Sequence, residues 1–240
     1  MKVVAIVVAL FIAALAPTYA ITLDEIVAKH LQAKGGEQAL RAASTVVIRA
    51  SMTIHQAGID ANMTIVYKRP NLFRATTSMQ GMEMIQAFDG TQVWYTNPMS
   101  GKVETAAADQ AESIMQQADI DGPLINYKDK GYDVKLVGSV DVEGTTAYKL
   151  ELMRNGTQAM VLYIDAVTFQ DVRMESTASM MGQTVSTDIR RSDYRIVNGV
   201  SLPYKIETYM MGMLMTTADV ESVEINTAVE ASMFARPAQK

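Results

Sequence analysis

The residues able to do chemistry in this chain of 240 are few and scattered. There are two histidines, His30 and His55, and no cysteine, which excludes thiol nucleophiles, thiolate metal sites and disulfides. Neither histidine sits in an HExxH motif, and the chain has no GxSxG elbow, GxxxxGK[ST] phosphate loop or GxGxxG turn. His30 reads as a tolerated residue on a helix face rather than a ligand. Acidic residues are plentiful, but no spacing marks a carboxylate pair. The expectation is a protein that is not an enzyme, with no catalytic residue, no metal site and no cofactor.

Sulfur is present only as thioether. Of 18 methionines, 17 follow Met1, and they cluster: Met79, Met82 and Met84 flank one turn, Met180 and Met181 lie at another, and Met210, Met211, Met213 and Met215 crowd a third. Three readings stand. Methionine can fill an irregular core in place of Leu and Ile. It can line a cavity whose flexible, polarisable walls repack around guests of varied shape, acyl chains being the obvious ones. Closely spaced thioethers also suit Cu(I), although no His or Cys accompanies them here.

The compartment follows from the first residues. Lys2, the apolar run Val3 to Leu15 and the small-residue ending Pro17-Thr18-Tyr19-Ala20 form a signal peptide over 1–20. Cleavage after Ala20 competes with a site at Ala14-Leu15-Ala16. The run is too short to span a bilayer, which needs about 20 residues, and no later stretch comes close. With no cysteine to carry a lipid anchor, the expected product is a periplasmic, soluble, untethered monomer, with residues 21–240 forming a single domain. The net charge of −5 has its cations scattered singly, which argues against a nucleic-acid partner.

The elements that would build a cavity are mostly strands. Thr22-Leu23-Asp24-Glu25 has capping-box spacing; Leu23, Ile26, Val27, His30 and Leu31 then share one helical face, and Gly35-Gly36 ends the helix. A short turn of helix, 37–43, follows. From Thr45 the period changes to two, predicting twelve strands near 45–56, 60–68, 72–79, 82–88, 91–97, 132–140, 145–153, 158–165, 168–179, 183–197, 201–211 and 213–226. Asp89-Gly90, Asn155-Gly156 and Asn198-Gly199 are the strongest hairpin turns, because both residue types tolerate positive φ. A helix over 106–118 interrupts this meander and is the natural lid. So many antiparallel strands must curl, so the fold class is mainly β (α+β): a curved antiparallel sheet of about 11–12 strands wrapped around a helical plug and lid.

Several segments, in order, resemble the LolA/LolB-like outer-membrane lipoprotein-sorting family: TLDEIVAKHLQAKGG (22–36), KRPNLFR (68–74), QAFDGTQVWYTNP (86–98), DIDGPLINY (119–127), DVEGTTAYKLEL (141–152) and SDYRIVNGVSLPYKIE (192–207). The Arg-Pro-Asn-x-Phe-Arg turn followed by an Asp-Gly-x-x-x-Trp hairpin is the most telling. The resemblance makes that sheet a curved antiparallel half-open β-barrel whose concave face, closed by helices, holds acyl chains away from water. It implies inward-facing aromatics at Phe73 and Trp94. From alternation, Met63, Ile65, Met82, Met84, Leu150, Leu152, Leu162, Met174 and Ile206 are the further candidates for that face, and Ile114, Met115, Ile120 and Leu124 for the lid. No residue matches the family's lid-latching arginine; Arg49 lies on the corresponding early strand in a different context.

The leading expectation is a periplasmic carrier or chaperone that binds acyl chains of lipids or lipoproteins for transfer towards the outer membrane, between membrane donor and acceptor proteins. Its rivals are an envelope-sensing module of the same fold that grips another protein, and a methionine-rich Cu(I)-binding protein.

Overall fold

Alternation of apolar and polar residues over most of the chain resolves into thirteen antiparallel strands in one curved, open sheet. They are β1 (Thr45–Ile54), β2 (Ile59–Lys68), β3 (Leu72–Met79), β4 (Met82–Phe88), β5 (Val93–Thr96), β6 (Val103–Thr105), β7 (Tyr132–Val142), β8 (Thr145–Arg154), β9 (Thr157–Asp165), β10 (Asp171–Met180), β11 (Gln183–Val197), β12 (Val200–Met210) and β13 (Met213–Ile225). A computed structural model describes residues 21–180 and 183–237. The signal peptide expected over 1–20, and Met181, lie outside them.

The spatial order is β6-β5-β4-β3-β2-β1-β13-β12-β11-β10-β9-β8-β7. Strands β1 to β6 and β7 to β13 form two meanders, each strand pairing with its neighbour in sequence; β1 pairs with β13 and so welds the meanders into one sheet, with β6 and β7 at its edges. The sequence predicted twelve strands. The thirteenth, β6, has three residues, too few to show an alternation. Register shifts at Arg49/Ala50, Leu136/Gly138 and Asp171/Arg173 bend the strands that carry them, as β-bulges do.

Three helices cover one face: α1 (Leu23–Ala33), α2 (Glu37–Ala42) and α3 (Ala108–Gln117). The capping box forms as expected, with Thr22 Oγ1 accepting from the Glu25 amide at 3.3 Å and Glu25 Oε2 accepting from the Thr22 amide at 2.8 Å. Helix α1 buries Ile26, Val27 and His30 and is stopped by Gly35, whose φ of +112° suits glycine. Nothing larger fits there, since a Cβ on Gly35 would lie 1.9 Å from the Gly199 carbonyl oxygen. The helix end is thereby pressed onto the Asn198-Gly199 hairpin between β11 and β12, where the Ser201 amide donates to the Lys34 carbonyl.

The other face is closed by the C-terminal segment. Its last turn, Ala231–Phe234, places Phe234 at 0 % exposure against Val47 and Val66. Lys68 Nζ donates to the Val229 carbonyl and Arg74 to the Met233 carbonyl, strapping the segment across β2 and β3. No helix among the described residues is long and apolar enough to cross a membrane.

Candidate ligand-binding face

The face beneath the helices, called the inner face below, divides into a sealed zone and an uncovered one. In the sealed zone, Leu150 and Leu152 of β8, Met160, Leu162 and Ile164 of β9 and Tyr132 and Val134 of β7 pack with Ile26 and Val27 of α1 and with Leu124. Phe73, Phe88 and Val93 pack with Ile114 of α3 and Ala118. Val46, Val200 and Ile225 pack with Leu40 of α2 and with Ile125. Here helix side chains fill the space themselves.

Register extends the inner face past that cover. Ile48 and Ile65, which border the sealed zone, are followed by the cross-strand pairs Ala50 with Met63, Met52 with Ala61 and Ile54 with Ile59. Thr77 of β3 stands opposite Met63 and Met84, and Met79 opposite Met82. Across β1, Ile206 and Ala218 continue the row. At this end of the strands the outward residues Ser51, Thr53, Asp60, Asn62, Ser78 and Glu83 are polar, with Ile85 the exception among the described residues. Two-sided polarity of this kind belongs to a sheet with one face turned to apolar material. Yet Met52, Ile54, Ile59, Met63, Met79 and Met84 are only half-buried, Met82 is 55 % exposed, and none of them joins a buried cluster. This end of the inner face is an apolar trough with no protein over it among the described residues. Beside it, β1 and β2 also border an open cleft of about 340 Å³ lined by Ser51, Thr53, Asp60 and Asn62 together with Met52 and Ala61, a mostly polar lining.

The candidates from sequence distribute over both zones. Phe73, Leu150, Leu152 and Leu162 are in the sealed zone; Met63, Met82 and Met84 are in the trough; Ile65, Met174 and Ile206 lie between. Trp94 requires correction. It alternates with Val93, which faces Ile114, so its indole points to the outer face and is buried under the C-terminal segment, Nε1 donating to the Phe234 carbonyl at 2.8 Å. Of the lid candidates, Ile114 and Leu124 are buried and Ile120 half-buried, whereas Met115 is 43 % exposed on the far side of α3.

Helix α3 and the segment after it span the sheet. The helix touches β4 and β5 on one side and β10 on the other, and Glu112 lies 3.8 Å from Arg154 at the end of β8. The segment Asp119 to Gly131 is pinned twice. Arg69, in the turn between β2 and β3, donates to both carboxylate oxygens of Asp121 at 3.0 and 2.5 Å, and also to the Ala43 and Leu40 carbonyls at 2.9 Å each. Lys130 bridges Asp119 and the Gly122 carbonyl. The Arg69 hydrogen bonds hold the Asp121 carboxyl below the usual carboxylate range. Arg49, the arginine singled out on the early strand, instead pairs on the outer face with Glu224 at 2.5 Å. The clasp belongs to Arg69, which the sequence showed only as part of a turn.

Sequence also passed over a charged group on the inner face. The register shift between Asp171 and Arg173 turns Asp171 inward beside Ile164, as bulges re-aim side chains. Arg191 of β11, one alternation along from the inward Ile189, donates to Asp171 Oδ2 at 3.0 Å, and Lys34 at the end of α1 is 3.6 Å from Oδ1. Burial alone would raise the Asp171 carboxyl; Lys34 and Arg191 outweigh it and hold the group far below its ordinary value. His30 meets the Phe169 carbonyl through Nδ1 at 2.9 Å, so that nitrogen carries the proton. Burial lowers the His30 pKa, which keeps the ring neutral.

No family model matches the chain, and no curated protein matches it. Solved structures do. A DUF1329 family protein from Desulfovibrio piger superposes with a TM-score of 0.60 at 13 % identity, over 89 % of this chain and 97 % of that one. A LolA superfamily protein from Nitrosomonas europaea gives 0.59 at 14 %, over 90 % and 99 %. A domain described as an outer membrane lipoprotein-sorting protein from Vibrio parahaemolyticus gives 0.58 at 10 %, over 88 % and 94 %. The chain therefore has the fold of LolA superfamily proteins over nearly its whole described length.

Proposed function

We propose that this protein is a periplasmic carrier that holds the acyl chains of a lipid or lipidated protein against the inner face of its sheet and does no chemistry on them. The supporting observation is the apolar trough formed by Met52, Met63, Met79, Met82 and Met84, which continues the core face of the sheet beyond its helical cover. A monomer that leaves such a face unfilled is presenting it to an apolar guest. Each CH₂ moved from water into such a place contributes about 0.8 kcal/mol, so a chain of a dozen carbons supplies ample affinity without polar contacts. Methionine suits the task, since its unbranched thioether repacks around chains of different length. The inner end of the trough, at Ile48 and Ile65, is closed by α3 and the Asp119–Gly131 segment, held by the Arg69–Asp121 clasp. The likeness in fold to a lipoprotein-sorting domain supports the same reading.

Native mass spectrometry of the mature protein purified from an envelope fraction is expected to show bound lipid or lipopeptide. A clean unliganded mass, together with no displacement of a hydrophobic dye by any acyl compound, refutes the proposal.

A further inference from the structure

Arg191 is out of place on an apolar face. Its neighbours there include Met174, whose thioether, a weak acceptor, is the partner of Nη2 at 3.9 Å among the described residues. The side chain keeps 20 % of its surface accessible. Tyr67 of β2 is on the same face, packed beside Phe73 with ring centroids 5.4 Å apart. Four strand spacings separate β2 from β11 in the sheet, about 19 Å if it were flat. The sheet is curved, not flat, with both residues on its inner face, and the Arg191 charge acts on the Tyr67 phenol. Loss of solvent pushes that phenol up to about 12, and still the side chain is only half-buried. Arg191 and Tyr67 both keep accessible surface on the inner face, so space not filled by protein reaches each of them.

The charges around this space do not cancel. Among the described residues Asp171 is the one carboxylate paired with Lys34 and Arg191, and His30 is kept neutral by its burial. Asp171 satisfies one edge of the Arg191 guanidinium and fixes its orientation, which leaves donors directed elsewhere. A positioned guanidinium fork with spare donors in apolar surroundings is a recognition device for carboxylate or phosphate oxygens.

We infer that Arg191, held by Asp171 and faced by the Tyr67 hydroxyl, binds the anionic headgroup, carboxylate or phosphate, of an amphiphile whose tail runs outward along the methionine trough. This rests on the carrier reading and narrows it to ligands that enter head first. The tail supplies affinity; the arginine supplies selection against neutral lipids of equal length. Tyr67 contributes a neutral donor that stays protonated at physiological pH.

The test is displacement of the neutral dye 1-N-phenylnaphthylamine from the mature full chain by dodecanoate, dodecyl phosphate and dodecanol. The expected result is that one or both anions compete at least about tenfold better than dodecanol, the scale of one charge-assisted hydrogen bond. The better anion identifies the headgroup class. Arg191→Gln abolishes this preference, bringing the anions to the level of dodecanol; Arg191→Lys retains part of it; Tyr67→Phe, which preserves the ring packing, reduces it by a smaller factor. Equal competition by anions and dodecanol in the wild-type protein overturns the inference and leaves the carrier reading standing. So does a full anion preference surviving in a folded Arg191→Gln or, where that variant fails to fold, no loss in Tyr67→Phe. Failure of every compound to displace the dye overturns both.

Discussion

Replacing Asp121 by Asn tests whether the Asp119–Gly131 segment is a cover that can lift. The change is nearly isosteric, removes the negative charge, and sets an NH₂ group against one of the two Arg69 nitrogens that now lie 3.0 and 2.5 Å from carboxylate oxygens. A hydrogen bond to a charged partner contributes about 1.5–3 kcal/mol. The pair is partly screened, with side chains 25 and 17 % exposed, and Arg69 keeps its bonds to the Ala43 and Leu40 carbonyls. The net loss is therefore about 2 kcal/mol, within the range for a part-buried pair. At about 1.4 kcal/mol per decade, the closed-to-open ratio of the segment falls about 30-fold. Hydrogen exchange should accelerate by that factor in peptides covering 119–131, with exchange in β8 and β9 unaffected, and a bound acyl dye should dissociate faster. In the wild-type protein the same release appears on acidification, because the Asp121 pKa is lowered in the folded state. Its stabilisation is complete above the unfolded carboxylate value of about 3.9 and disappears as the pH falls through the folded value. Unchanged exchange over 119–131 in a folded Asp121→Asn protein refutes the assignment of a clasp.

Gly35→Ala should destabilise the fold by about 3 kcal/mol or more in urea unfolding, since strain at positive φ adds to a Cβ placed 1.9 Å from the Gly199 oxygen; a shift below 1 kcal/mol, on the order of a surface substitution, refutes the close approach. His30 has a lowered pKa in the folded protein, so the unfolded chain takes up the proton first: stability should be constant above about 6.5 and decline as the pH falls from there towards the folded value. A His30→Gln variant should lose that slope; a slope that persists assigns it elsewhere. Trp94, under the C-terminal segment on the outer face, should show no change in emission wavelength when acyl ligands bind. A blue shift on binding would put the guest on the wrong side of the sheet for the mechanism given above.

Much of this architecture was legible in order along the chain. Thr22 and Glu25 announced the start of α1, Gly35 its end, and the Asp-Gly and Asn-Gly pairs the hairpins, because capping and positive φ are decided within a few residues. Alternation placed twelve strands and told, within each, which residues share a side. It could not say which side of β5 faces the helices, since a period of two is satisfied equally well by either orientation. The resemblance turned Trp94 inward, but the inward residue of β5 is Val93, opposite Phe88. The register shift beside Val172, which brings Asp171 onto the inner face, breaks the alternation at a point where the residue types give no sign of it. Only the three-dimensional arrangement decided the pairing of β1 with β13, the Arg69–Asp121 clasp across 52 positions and the approach of Arg191 to Tyr67. Sequence determines local geometry because backbone preference acts over a few residues; which charges meet across the interior depends on how the whole sheet curls, and no short window of residues contains that.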